Sequence, residues 1–275
     1  MHRLAACVIT IALSVPFLNP APVAGDERAV SILVLKEHGV GNPALAQPYL
    51  DKFVALAAEE NGWPAAKGQY FTSRAAAEEF IRTAKPDYAI LSLGAFLALK
   101  DKYQLDVVGQ VAVKLVGGRN YFIVSKTAST LAHCRGKSLA SDHLDDPKFI
   151  DRVVTGGDFK LTDFTLVQTQ RPLQTINKLL KGDATCALID DAQFAELEHI
   201  EGAKDVRTVW KSRELPPMAV VAFPRATPAE RARFQENLPK LCDDDGESAC
   251  AEVGIVDLTA ARPDDYAAVL AAYGK

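Results

Sequence analysis

Apolar positions along the chain follow two periods, and the change from one to the other marks its elements. Residues 88–93 form a nearly continuous apolar run, Tyr-Ala-Ile-Leu-Ser-Leu, as expected of a strand covered on both faces. Before it, Ala76, Phe80, Ile81 and Ala84 recur at helical spacing. Ser73 is placed to cap that helix and Pro86 to end it. Tyr70 and Phe71 begin a short strand closing at Thr72–Ser73, so residues 68–100 predict strand, helix, strand, helix. Upstream, residues 31–35 form a first strand and residues 36–42 its glycine-containing exit loop. Tyr49, Phe53 and Leu56 mark one face of the helix that follows. Strand–helix–strand units of this kind close as right-handed crossovers between parallel strands, with the first and third strands as neighbours.

From residue 106 to 125 the pattern is β-rich around Gly117-Gly118, and these strands are expected to leave one lobe for another. The second lobe repeats the plan. Strands are expected at 137–141, 164–169 and 187–189, and helices at 146–154, 173–182 and on to His199. Residues 206–212 and 218–223 are return strands. The tail is helical, with Thr227 capping and Pro228 at the first helical position. The fold class is thus α/β, with two doubly wound Rossmann-like lobes joined by two hinge strands. The lobes are residues 26–118 with 213–275, and 119–212.

Open α/β sheets bind ligands outside the carboxyl ends of their strands. That rule selects His38, Thr72, Ser73, Ser92, Gly94 and Phe96 in the first lobe. In the second it selects Ser141, Asp142, His143, Gln170, Arg171 and Asp190, with Tyr121 opening a hinge strand.

Composition adds an address more than a chemistry. Of 275 residues, 48% are hydrophobic and 24% charged, ordinary values for a globular protein. A net charge of −4 offers no footprint for nucleic acid. His2 and Arg3, an apolar stretch to Leu18 and a small-residue exit at Val23-Ala24-Gly25 read as a secretory signal peptide over residues 1–25, cut near Gly25. The mature protein is expected in the periplasm. Without Cys7, four cysteines remain. In an exported chain an even set favours disulfides. Cys242 and Cys250 flank a short acidic loop and pair most naturally, leaving Cys134 with Cys186; free buried thiols are the alternative.

Four stretches carry a resemblance: DYAILSLGAFLAL, CRGKSLAS, LLKGDATCALIDD and WKSRELPP. In order and spacing they resemble the extracytoplasmic solute-binding proteins of ABC importers, in the phosphonate, phosphite and phosphate-ester branch with the two-lobed type II architecture. The resemblance implies capture of a phosphonate-like oxyanion between the lobes, delivery to an ABC-type membrane permease, a monomer, no cofactor and no catalysis. It places Phe96 at the family's aromatic loop position and Arg171 at a polar cleft position. Where phosphonate binders of the family carry a Ser-Thr-Ser-Gly run, this chain has Ser141-Asp142-His143-Leu144-Asp145-Asp146, one hydroxyl with three carboxylates. Two other readings stay open. One is an enzyme or metal protein using His38, His143 and Asp190. The other is a binding lobe for a non-ABC membrane partner with an apolar ligand.

Overall fold

The computed structural model describes residues 28–38, 43–113, 117–243, 246–252 and 254–275. The expected signal segment 1–25 with its cleavage position, residues 39–42 of the first exit loop and residues 114–116 of the crossing lie outside the described residues. The strands are β1 (Val30–Leu35), β2 (Ala66–Phe71), β3 (Tyr88–Leu91), β4 (Asp106–Val113), β5 (Tyr121–Ser125), β6 (Ser138–Ser141), β7 (Thr165–Gln168), β8 (Cys186–Asp190), β9 (Arg207–Lys211), β10 (Met218–Ala222) and β11 (Ile255–Ala260). The helices are α1 (Pro43–Asn61), α2 (Arg74–Ala84), α3 (Leu93–Tyr103), α4 (Leu131–Cys134), α5 (Pro147–Phe149), α6 (Pro172–Leu180), α7 (Asp191–Glu196), α8 (Pro228–Asn237), α9 (Gly246–Glu252) and α10 (Ala267–Gly274).

The strands form two sheets. The first has the order β11-β4-β10-β3-β1-β2, the second β7-β6-β8-β5-β9. In the first, β1 lies parallel to both β2 and β3, with Leu35 opposite Phe71 and Leu91, so the expected neighbours meet. The return strand β10 runs antiparallel between β3 and β4. In the second, β6 is parallel to β7 and β8, while β5 runs antiparallel to β8 and β9. The chain therefore passes between the sheets twice, from β4 to β5 and from β9 to β10.

Both faces of β1 are covered, which its uninterrupted apolar sequence foreshadows. Ile32 packs on one side with Leu50, Phe53 and Val54 of α1 and with Phe234 of α8. Leu33 and Leu35 face the other way, in a cluster that continues through Phe96 and Phe149 to Leu139 and Leu188 of the second sheet. One apolar core thus joins the two sheets beneath the gap between them. α10 spans the same junction: Arg152 Nη1 donates to the Tyr273 carbonyl (3.1 Å), and Lys148 Nζ lies 4.0 Å from the Tyr273 ring centroid.

Several elements differ from expectation. In α2 the buried face is Ala77 and Ile81, and Ala76 is exposed, one position round from the expected stripe. Ser73 stands at the N-cap but makes no side-chain capping bond. The helix expected over 146–154 is one α-turn continued by a π-helical turn, Ile150–Val154. β11 was not expected, because only Leu258 of its six residues is fully buried on this edge strand. Both expected disulfides are present. Cys134–Cys186 ties α4 to β8 with Cα atoms 6.1 Å apart, and Cys242–Cys250 closes a separation of 8 residues.

Candidate functional site

The exits of four interior strands, β1, β3, β6 and β8, meet at a gap between the sheets. A cavity of about 440 Å³, counted with its open mouth, lies there. Its lining includes Glu37, His38, Arg74, Ser92, Gly94, Gly117, Gly118, Tyr121, His143, Asp146, Phe149 and Asp190.

On the first-sheet side the β1 exit supplies Glu37 and His38. His38 adopts a left-handed backbone, φ 58°, a conformation uncommon outside glycine and enriched at functional positions. Its Nε2 is 3.4 Å from Asp145 Oδ1 and its Nδ1 is 3.8 Å from Asp142 Oδ2, both on the second-sheet side. Burial lowers the His38 pKa, but the bond to Asp145 and the charges of Asp145, Asp142 and Glu37 outweigh it and raise it above the ordinary value. Arg74, first residue of α2, grips Glu37 with two bonds, Nε to Oε1 at 2.7 Å and Nη2 to Oε2 at 2.8 Å. Its Nη1 reaches across to Asp146 Oδ2 at 2.9 Å. Burial works against the Arg74 charge, and the Glu37 bonds override it, so the group holds its proton more firmly than usual. Lys36 is also drawn in: burial lowers its pKa against the pull of Asp190 and Asp191.

Ser92 starts α3. Its backbone N–H donates to the Leu35 carbonyl, which fixes the β3 exit beside the β1 exit, and its hydroxyl is directed at Glu37 Oε2 (3.4 Å). Gly94 faces the Phe149 ring, and a Cβ there would make an ordinary contact with it at 3.4 Å. A Cβ on Gly117 would stand 2.7 Å from Asp190 Oδ2 and would push that carboxylate aside.

The second-sheet side is a buried hydrogen-bond network that leaves Asp142 Oδ2 without a hydrogen bond, facing His38. Asp142 Oδ1 accepts from Thr175 Oγ1 (3.0 Å) and Gln193 Nε2 (2.9 Å). Asp190 caps α7, with its Oδ1 accepting from the Gln193 N–H and its own N–H donating to Gln193 Oε1. His143 Nε2 lies 3.2 Å from Gln193 Oε1 and 3.9 Å from Asp190 Oδ2. Its ring packs 4.4 Å from His38 and edge-on to Tyr121. Burial pushes the Asp190 carboxyl up, and burial with the nearby carboxylates pushes the Tyr121 phenol well up. Asp146 serves two purposes: Oδ1 caps α5 by accepting from the Phe149 N–H, and Oδ2 faces Arg74.

Of the expected residues, His38, Ser92, Gly94, Tyr121, His143 and Asp190 line the cavity, with Asp142 buried directly behind. Ser141 is also buried, but its hydroxyl donates to the Leu188 carbonyl and accepts from the His143 N–H, shaping the loop without facing the cavity. Phe96 is turned into the core against Tyr266. Thr72, Ser73, Gln170 and Arg171 lie outside the lining, and the last two are exposed. β7 is an edge strand whose exit opens at the margin of its sheet, and the exit of β2, the other sheet's edge strand, reaches the cavity only one residue past Ser73, at Arg74. Sequence reasoning missed Arg74, Asp146 and Phe149 as lining residues, and considered Glu37 only beside His38 in the enzyme or metal reading. The available signal was a long cation at the start of α2 and carboxylates in two strand-exit loops. Against a metal site, no group of three or more His, Cys, Asp or Glu among the described residues is arranged to hold an ion.

The family model for the periplasmic substrate-binding protein of phosphonate ABC transporters matches residues 50–266. No curated protein matches the chain. Among solved structures the fold is similar to XAC2383 from Xanthomonas citri bound to ATP, at 12% identity, TM-score 0.70, covering 90% of this chain and 96% of that one. It is also similar to PhnD1 from Prochlorococcus marinus in complex with methylphosphonate, at 10% identity, TM-score 0.62, covering 88% and 95%. A third is the periplasmic aliphatic sulphonate-binding protein SsuA from Escherichia coli, at 14% identity, TM-score 0.62, covering 90% and 85%. Among the described residues no helix is long and apolar enough to cross a membrane.

Proposed function

The chain belongs to the family of periplasmic phosphonate-binding proteins of ABC transporters, and from that premise we propose that it captures a small polar solute in the cavity between two hinged lobes. The lobes are residues 26–118 with 213–275, and 119–212. The protein acts as a soluble monomer after removal of residues 1–25, and it passes its solute to an ABC-type permease. His38, Ser92, Gly94, Tyr121, His143 and Asp190 form the ligand shell, with Arg74, Glu37 and Asp146 added. Phosphorus and sulfur oxyacids are the first solutes to test, since the family and the neighbouring folds handle both.

One observation carries this reading. Charged and polar side chains from four strand exits converge on one enclosed gap whose walls belong to different sheets. Micromolar capture needs about −8 kcal/mol, which several aimed hydrogen bonds in a closing gap supply. Mass spectrometry of the small molecules that copurify with the exported protein is the direct test, followed by thermal shift against phosphonates, sulfonates, phosphate esters and amino acids. A protein that carries no solute and shifts with none of these would overturn the assignment.

A further inference from the structure

The cations that face the cavity are already engaged by the protein's own carboxylates. Arg74 spends Nε and Nη2 on Glu37 and Nη1 on Asp146. His38 stands between Asp142 and Asp145. The Ser92 hydroxyl is directed at Glu37 as well. A guanidinium fork holds carboxylates and other oxyanions by the same pair of parallel bonds. Glu37 therefore occupies the position that a ligand's oxyanion would take on Arg74. Its side chain is only 8% exposed, so it is packed into that position. Asp146 and Asp190 complete a lining in which, among the described residues, every positive charge faces a carboxylate.

We propose that Glu37 sets the charge class of the ligand: by filling the Arg74 fork it makes the cavity reject doubly charged oxyanions and accept solutes with at most one negative charge. This rests on the solute-capture reading and narrows it. Glu37 and Arg74 form one unit in the lining. Asp146 supports the unit from the opposite side, holding the third guanidinium nitrogen.

The test uses two probes of the same tetrahedral shape, methanesulfonate with one negative charge and methylphosphonate with two, at a pH above the second ionisation of the phosphonate. Calorimetric titrations are run on the wild-type mature protein, Glu37→Gln and Asp146→Asn. The wild type is expected to favour methanesulfonate. Glu37→Gln is expected to move the ratio of the two dissociation constants toward methylphosphonate by about tenfold or more, as removal of a like charge at contact distance allows. Asp146→Asn moves it the same way by less. A purely structural role for Glu37 would weaken both probes together and leave the ratio unchanged, and that result overturns the proposal. A wild type that prefers methylphosphonate overturns it too, while leaving solute capture intact. If the wild type takes neither probe, binding of methylphosphonate by Glu37→Gln supports the proposal and its absence overturns it. Circular dichroism and melting temperature confirm folding, and should Glu37→Gln not fold, the Asp146→Asn ratio decides. Solute capture itself is judged separately, by what copurifies with the wild type.

Discussion

The two walls of the cavity satisfy their polar groups in different ways. On the second-sheet wall, Asp142, His143, Asp190 and Gln193 bond to one another and to Thr175, nearly all below the surface. On the first-sheet wall, His38 finds its carboxylates across the gap, and Arg74 divides its bonds between Glu37 beside it and Asp146 opposite. Widening the gap would leave the hydrogen bonds within the second-sheet wall intact and break His38–Asp142, His38–Asp145 and Arg74–Asp146, so that only Arg74–Glu37 stays paired within the first-sheet wall. The second wall is thus preformed except at Asp142 Oδ2 and Asp146 Oδ2, which face the cations opposite, while His38 and Arg74 depend on closure for most of their partners.

Experiments can break this contrast at several levels. The largest effect is expected from the disulfide inside the second wall's sheet. Cys134 and Cys186 are 52 residues apart, and replacing both with serine should cost about 4 kcal/mol in urea unfolding by loop-closure entropy. The same change at Cys242 and Cys250, 8 residues apart, should cost about 2.5 kcal/mol. Next, Asp142→Ala leaves the Gln193 amide without an acceptor and turns the Thr175 hydroxyl back on Thr169, and should cost about 1–3 kcal/mol.

Arg74→Ala separates two outcomes. If the walls were locked together, unpairing Glu37 and Asp146 would cost about 3–5 kcal/mol. If the first wall can swing away, water solvates both carboxylates, the loss falls to about 1 kcal/mol or less, and small-angle scattering shows a larger radius. The second result is expected, and a large loss without expansion would refute the contrast. A smaller effect follows from His38. Its folded-state pKa is raised, so its contribution is complete below the ordinary histidine value of 6.5 and is lost as pH rises through the raised value. In Asp145, burial raises the carboxyl pKa but His38 lowers it further, so that side of the contact fails only in strong acid, as pH falls through the depressed value. Scattering should show expansion on the alkaline side in the wild type and not in His38→Ala. The smallest effect is Arg171→Ala, an exposed edge position, expected within about 0.5 kcal/mol and without influence on solute binding.

Much of this molecule can be read from its residues. The apolar run at 88–91 announces a covered central strand, and β1 and β3 are indeed neighbours. The parallel pairing of β6 with β8 brings Cys186 opposite Leu139 and explains how Cys134 reaches it. The carboxyl-end rule succeeded at interior strands, where Ser92, His143 and Asp190 reach the cavity, and failed at β2 and β7. Strand position within a sheet depends on pairings made far along the chain, which local periodicity does not encode. Arg74 was hidden for the same reason: alone it is a charged first residue of a helix, and its meaning comes from Asp146, on the other sheet. β11 escaped notice because an edge strand buries too little to alternate cleanly.

The two passages between the sheets are laced to each other: Ser212 N–H to the Tyr121 carbonyl, Leu215 N–H to the Arg119 carbonyl, and Tyr121 N–H to Ser212 Oγ. Any movement of one sheet against the other must carry this doubled strap along as a unit, and a distance measured between two labels, one on each side of it, would register that movement.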